Sequence, residues 1–549
     1  MVGLLDPDKC SNSEWFTQNL SQTWGACHLR QAQAGGKTSK NNPQPEHHHH
    51  SNQTRLAEGN NIIHTHTHTH SGMEKQRLNL TMKAPWSIFP RKRLDITQTD
   101  MLYGLQQCLL PDTKTRRDTV KDDIADIWGE LTGTKSIMTG LSVRTGLDVL
   151  LTTLDLPSGS EVIMSAVCIK DMMKVVQLHG LVPVAVDLHD TKLEIQTDLL
   201  QKAFTSNTKL IIVSHIFGVV PPMNAVVSLA RQHKCLVFED CAECFTGPAG
   251  YKGHPESDVT AFSFGTIKTS TALGGAILLY TDVNLRDAVV DKYQQYPTRP
   301  VSDIASRLTK YSVLHSIVMR PDIYGAITRT WTSLLGYESF DDTVTKLSRG
   351  FPGSDLLAMI RYRPSTALLC LMRRQFQNFD NGRLEARVHK CEELRSMINQ
   401  ANLKGVYVPG ESAVYHSYWL FPVCYDGNKE MLCNEMLNNG FDATATATQL
   451  CALDQYMTDQ VKHQSELVPN NVMKKMLSQV IYLPVTSDMP MWVLKKLGTT
   501  FIAAVRTQEG GGKGDNDDEE EEDDDEDWDD EDWDDEEDEK EDGTLRAKL

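Results

Sequence analysis

Apolar positions along this chain follow two regimes. Between about 95 and 130 they recur at helical spacing: Met101, Leu102, Leu105, Cys108 and Leu109, then Val120, Ile124, Ile127 and Trp128. Further on they gather into short β-branched runs at Glu161–Val167, Val182–Leu188, Leu210–Ser214, Cys235–Glu239, Val259–Phe264 and Gly275–Tyr280, with starts about 15 to 28 residues apart. Helix-like segments fill at least three of the gaps, at Lys170–Leu178, Thr197–Phe204 and Met223–Lys234. Near-continuous apolar strands alternating with helices predict an α/β fold whose mostly parallel sheet is covered on both faces. Ligands of such sheets bind beyond the carboxyl ends of the strands. The chemistry is therefore expected just after these runs.

From Asp291 to Ser354 the pattern becomes amphipathic and helical, with Pro300, Pro321 and Gly350 as breaks. The stretch Tyr311–Tyr337 mixes apolar and basic residues. It suits a membrane surface or packing against its own protein or a subunit partner, and packing is the expectation. Residues 365–400 read as one long helix, carrying Leu368, Leu371, Phe376, Phe379 and Leu384. Residues 406–505 mix strand-like runs, Ser417–Cys424 and Gln479–Pro484, with helices, as a small α+β domain does. The organisation expected is a low-complexity, disordered segment over 1–84, N-terminal helices and a large domain over 85–290, and a helical insertion over 291–364. A small domain over 365–507 and an acidic, disordered segment over 508–549 complete it.

Composition sharpens this in three ways. With 549 residues, 40% of them apolar and 23% charged, the chain suits two or three globular domains and excludes a wholly disordered, collagenous or disulfide-stapled protein. The net charge of −19 is concentrated: from Asp515 to Asp542 there are 24 Asp and Glu against one lysine, Lys540. The rest holds 50 acidic and 54 basic residues, a net of +4, which gives no basic face for nucleic acid. Such an acidic run repels itself and does not fold alone; it is read as a solubilising segment, with a basic protein partner as the alternative. Nine of the 18 histidines precede residue 84, including His47–His50 and the alternating His64, His66, His68 and His70. A flexible His run lacks a specific metal geometry, so no metal site is assigned. Twelve scattered cysteines point to a reducing compartment. The first twenty residues do not resemble a secretory signal, and no stretch approaches the roughly 18 apolar residues of a spanning helix. A soluble, cytoplasmic protein is the expectation.

Two strand ends carry candidate chemistry. CLVFEDCAEC puts Asp240 directly after a core-like run, and Lys268 follows the next strand, VTAFSFG, 28 residues later. A lysine amine attacks an aldehyde only when deprotonated, which partial burial favours. A carboxylate on the neighbouring strand holds a proton on a pyridine nitrogen and keeps that ring an electron sink. Upstream, Thr139–Gly146 (TGLSVRTG) precedes a helical run, so its backbone N–H groups can face an anion; an ordinary Ser or Thr cap fits it equally. Cys241 and Cys244 form a CxxC without a second pair at zinc-ribbon spacing, and packing beside the pocket is expected of them. His215, after its own strand, is either a pocket residue or a satisfied strand-end histidine.

Taken together, VFEDCAE, FSFGTIK followed by Gly274–Gly275, and VSHIFGVVPPMNAVVSLARQHKCLVFED resemble signatures of the DegT-type, sugar-aminotransferase-like branch of the fold type I pyridoxal-phosphate enzymes. IRYRPS and Leu483–Val485 resemble weaker downstream signatures. The resemblance runs from about Thr139 to Val485, interrupted at 291–354. It implies a pyridoxal 5'-phosphate cofactor linked to Lys268, which then shuttles a proton, with Asp240 on the ring nitrogen. It further implies phosphate contacts from Ser263 and from Ser142, Val143 and Arg144, and a homodimer in which residue 361 reaches across the subunit boundary. The activity implied is amino transfer from an amino acid, usually glutamate, to a carbonyl acceptor. Elimination or dehydration on the same cofactor, and a non-catalytic protein working through its acidic run, are the alternatives.

This chain departs from the pattern at four places. Glu243 replaces the usual Gln or His among the cofactor-binding residues and puts a negative charge near the ring, and Arg361 stands where an Asn is usual, still able to donate to a phosphate. Trp419 occupies a position where nucleotide-sugar enzymes carry His. Ser165–Ile169 lacks the expected aromatic.

Overall fold

The computed structural model describes residues 86–511, except for position 92 and the segments 133–135, 337–339, 341–342, 344–354, 457–463 and 470. The His-rich 1–84 segment and the acidic run lie outside the described residues. Among the described residues nine strands precede residue 281: β1 (Ile137–Gly140), β2 (Glu161–Ser165), β3 (Val167–Ile169), β4 (Val182–Val186), β5 (Thr208–Ser214), β6 (Val219–Val220), β7 (Leu236–Asp240), β8 (Val259–Ser263) and β9 (Ala276–Tyr280). Seven of them form one sheet in the order β1-β9-β8-β7-β5-β2-β4. Each neighbouring pair from β4 to β8 is parallel, and β9 runs antiparallel to both β8 and β1.

Alternation explains why these runs are apolar throughout. On β2, Val162 and Met164 enter one core while Ile163 enters the other; on β5, Leu210 and Ile212 oppose Ile211 and Val213 in the same way. The helices Val143–Leu154, Lys170–Leu178, Thr197–Ala203 and Asn224–Gln232 supply the crossovers that cover the sheet. The polarity changes at the carboxyl ends, where β2, β5, β7 and β8 finish on Ser165, Ser214, Asp240 and Ser263. Ser214 is in register with Asp240, so these ends form one edge.

β1 is absent from the sequence expectation, because the four residues IMTG are too short to show a period. A second difference concerns residues 365–400, expected as one helix and found as two, Thr366–Gln377 and Asn381–Gln400. The break is a capping event: the Asp380 carboxylate accepts from the Arg383 amide, while the Phe379 ring packs 5.3 Å from Phe245. Phe245 belongs to a buried aromatic group with Trp128, Phe262, Phe264 and Phe376.

Pro300 and Pro321 open the helices Val301–Val318 and Pro321–Leu335, as prolines do at a first turn. Tyr311, His315 and Tyr324 are buried, so one side of this pair packs on its own protein. No described helix is long and apolar enough to cross a membrane.

The later strands are β10 (Val406–Tyr407), β11 (Tyr415–His416), β12 (Phe421–Tyr425), β13 (Leu450–Ala452) and β14 (Val480–Leu483). β10, β12 and β14 form an antiparallel sheet with its own core, which includes the helices Lys429–Asn438 and Met491–Gly511. Two short ladders, β11 on β6 and β13 on β3, clamp this unit to the large sheet beside its carboxyl edge.

Gly146 lets the helix Val143–Leu154 lie close against β9. A Cβ there would stand 2.4 Å from Leu278 Cδ2 and 3.1 Å from its Cγ. Gly146→Val is therefore expected to cost about 2 kcal/mol in urea unfolding, the range of an overpacked core, and Gly146→Ala less.

Candidate active site

Asp240 ends β7 and is 7% exposed. One of its oxygens accepts from the Ala242 amide at 3.0 Å, and among the described residues it has no ion-pair partner. Burial pushes its carboxyl up; the Ala242 bond and the charge of Lys268 offset that only in part, and Glu243 adds to it. A buried carboxylate without a cation is costly, and a protonated ring nitrogen is the kind of group that removes the cost.

Lys268 leaves the end of β8 through a tight loop. Its amide donates to the Gly265 carbonyl at 3.0 Å, while the Thr271 hydroxyl donates to that carbonyl at 2.7 Å. Nζ donates to Glu243 Oε1 at 3.1 Å and lies 3.9 Å from the centre of the Trp419 ring. Trp419 is fixed in turn by its indole N–H, which donates to the Ile267 carbonyl at 2.8 Å. The other oxygen of Glu243 accepts from the Phe217 amide at 2.7 Å. The glycine of His215–Gly218 has a steric reason: Gly218 sits at φ +90°, and a Cβ there would stand 2.7 Å from the Trp419 amide nitrogen. Lys268, Glu243 and Trp419 thus hold one another from three separate elements.

The opposite end of the cavity suits an anion. Ser142 caps the helix Val143–Leu154, its hydroxyl accepting from the Thr145 amide at 3.1 Å. Val143 and Arg144, in the first turn, line the cavity together with Ser263 and Gly265. Such a helix N-terminus presents N–H groups and a partial positive charge to a phosphate. The Arg144 guanidinium pairs with Asp171 at 2.7 Å.

Arg361 does not line this cavity. Within its own chain the guanidinium reaches Asp148 through Nε at 3.1 Å and Nη2 at 3.0 Å. Asp148 is wholly buried and also binds His179 and the Tyr296 hydroxyl. Burial pushes its carboxyl up, but those three partners outweigh burial and hold it below the ordinary range.

The cavity measures about 140 Å³. Cys168 and Ile169 stand on its wall where the resemblance leads one to expect an aromatic, and Ala242 also contributes. Sequence reasoning passed over Thr446, Thr448 and Gln449, which close it from the small unit. The stretch TATATQ holds only small or polar neutral residues, with no titratable group to mark it.

His215 fits both of its expected descriptions, since it lines the cavity and binds Glu239 at 2.8 Å. Glu239 also accepts from Tyr251, from the His254 amide and from Ser257. Burial pushes its carboxyl up, but these bonds, His215 first, hold it at about 2. Cys241 and Cys244 are buried free thiols beside this network, and burial pushes both well up. His215, Glu239 and Cys241 come within ligand distance of one another, yet the carboxylate is already satisfied by protein donors.

Residues 121–295 match the model of the DegT/DnrJ/EryC1/StrS aminotransferase family. Over this segment, about a third of the chain, the sequence is similar to that family. The match stops just before the helices Val301–Val318 and Pro321–Leu335, which agrees with an interruption of the resemblance there. A UDP-4-amino-4-deoxy-L-arabinose–oxoglutarate aminotransferase of Shewanella sediminis is 30% identical over 156 residues, 28% of this chain and 40% of that protein. A GDP-perosamine synthase of Escherichia coli O157:H7 is 29% identical over 144 residues, 26% of this chain and 39% of that one. The chain therefore matches about two-fifths of the length of these curated relatives. Among solved structures, an aminotransferase from Psychrobacter cryohalolentis superposes with a TM-score of 0.54 at 18% identity, covering 75% of this chain and 98% of its own. Helicobacter pylori PseC gives 0.55 at 12%, covering 76% and 100%. The fold is that of these aminotransferases.

The state of Asp240 has a measurable consequence. Because its folded carboxyl titrates above the free one, ionisation there costs stability at neutral pH, and the cost fades as pH falls. Without ligand, Asp240→Asn is expected to be as stable at pH 7 as the parent or more so, by about 1 kcal/mol. Any rise in Tm that pyridoxal phosphate gives the parent is expected to be largely lost in the variant.

Proposed function

We propose that this protein is a pyridoxal-phosphate-dependent aminotransferase, moving an amino group from an amino acid, glutamate in the first instance, to a carbonyl acceptor. One observation carries the reading: a lysine amine and a buried carboxylate lacking a cation share one cavity, with a helix N-terminus at its far side. The match of residues 121–295 to the aminotransferase family model and the names of the matched relatives support the same reading. The residues fit the cofactor's three chemical demands, a tether for an aldehyde, a counter-charge for a ring nitrogen and donors for a phosphate. Bound there, the cofactor supplies an aldehyde for the amine and a protonated ring that takes up electron density as a proton leaves the donor's Cα.

Asp240 holds the proton on the ring nitrogen, and its buried setting strengthens that ion pair relative to water. Val143, Arg144 and Ser263 bind the phosphate, with Ser142 fixing the first helical turn. Lys268 moves protons at Nζ, accepting one from the donor's Cα in the first half of the reaction and, in the separate second half, delivering one to the acceptor carbon as general acid. Glu243 keeps Nζ oriented between these duties, because its other oxygen is tied to the Phe217 amide and cannot swing away. Thr446, Thr448 and Gln449 help to close the cavity against water, which favours proton transfer over hydrolysis. A homodimer is part of the same reading, resting on the resemblance.

The test is spectroscopic. Purified protein supplied with pyridoxal phosphate is expected to be yellow, and Lys268→Ala to lose that band. Glutamate is expected to bleach the band in the parent protein, and a carbonyl acceptor to restore it. A coloured protein unresponsive to glutamate and other amino acids would remove amino transfer from the account.

A further inference from the structure

Beside the cofactor cavity lies a larger cleft of about 1160 Å³. Ile267, Lys268 and Trp419 belong to the walls of both. Five cations of the cleft are balanced by carboxylates: Arg91 by Asp442, Arg93 by Asp488, Arg320 by Asp322, Arg383 by Asp95 and Lys268 by Glu243. Arg387 and Lys390 are not balanced in this way. They lie one turn apart on the helix Asn381–Gln400, and among the described residues neither has a carboxylate within ion-pair distance. Arg387 donates to the Ser417 carbonyl at 3.1 Å and reaches the Thr269 hydroxyl only at 3.5 Å, while Lys390 donates to the Ser487 carbonyl. The remaining acid of the wall, Asp380, is engaged as the cap of its helix. Asp95 and Asp488, already paired with Arg383 and Arg93, act on Arg387 and Lys390 from beyond ion-pair distance, and burial outweighs them and pulls the pKa of both cations down.

The chain carries a polyanion of its own. The acidic run 515–542 begins four residues beyond the helix Met491–Gly511, with 24 carboxylates against one lysine. Met491, at the start of that helix, is itself on the cleft wall. A helix of 21 residues spans about 30 Å, and the 28 residues of the run reach as far as about 90 Å when extended. The run is therefore long enough to return to the cleft from the far end of the helix. Tethering also keeps its effective concentration near the millimolar range.

We propose that the acidic run 515–542 docks in this cleft, where its carboxylates supply Arg387 and Lys390 with the close ion-pair partners that the described residues do not give them. With many successive carboxylates available for two cations, no single register is required. The attraction is coulombic in a partly dry cleft, which makes it stronger than on open surface and weak at high salt. It is independent of the cofactor, so its failure and that of the aminotransferase reading are distinguishable.

Carbodiimide coupling, which joins an amine directly to a carboxylate, tests the contact in the full chain with Lys390 as reporter. At low salt, peptide mapping is expected to find Lys390 joined to residues of 515–542. The yield should fall at least about fivefold in roughly 0.5 M sodium chloride, where screening is short-ranged, and comparably in Arg387→Gln. A mixture of isotopically labelled and unlabelled chains should give links within one chain. As a second measurement, replacing every Asp and Glu of the run by Asn or Gln alters no described residue, and should raise the acetylation rate of Lys390 several-fold. Absent or purely intermolecular links, together with an unchanged acetylation rate, would overturn the proposal. So would protection of Lys390 by inorganic pyrophosphate alone, which would assign the cleft to a small phosphorylated ligand.

Discussion

Asp240 ends its strand inside the protein, bonded to a backbone amide and, among the described residues, in no ion pair, with the Lys268 charge acting on it only from a distance. Folding tolerates this because the parallel sheet around it is apolar on both faces and leaves polar groups only at its carboxyl edge. There strand register sets Ser214 beside Asp240, with Ser165 and Ser263 ending the flanking strands β2 and β8, none of them neighbours along the chain. The rest of the site answers to that carboxylate. Lys268 emerges from the adjacent strand end, the cavity lies between them, and the helix after β1 points its N-terminus into the same space.

Much of this was legible from sequence, and the reasons are physical. A strand buried on both faces must be apolar at nearly every position, so β2, β4, β5, β7, β8 and β9 announce themselves. Their ends are equally legible, because a carboxylate or a lysine directly after such a run has few places to go except the sheet edge. What escaped depends on partners distant along the chain. β1 gains its identity only by pairing with β9. The break at Asn378–Asp380 hides within an otherwise helical pattern. The engagement of Arg361 by Asp148 joins residues 213 positions apart, and Thr446–Gln449 reach the cavity only because β13 pairs with β3. Periodicity reports on neighbours in sequence and is blind to such pairings.

Glu243 is where this chain most clearly goes its own way. A carboxylate in place of an amide or imidazole puts a second negative charge near Asp240, and the structure compensates by tying it to Lys268 and to the Phe217 amide. The Lys268 amine is thus held by an ion pair and by the face of Trp419. It also stands on the boundary between two spaces, the smaller cavity that Asp240 lines and the broader cleft lined by Arg387 and Lys390.

The most direct measurement of the central claim is covalent. Protein supplied with pyridoxal phosphate is reduced with borohydride, digested and mapped by mass. The account predicts a single reduced adduct on the Nζ of Lys268, formed in far lower yield when Asp240 is Asn. An adduct spread over other lysines, or no adduct on Lys268, would contradict it.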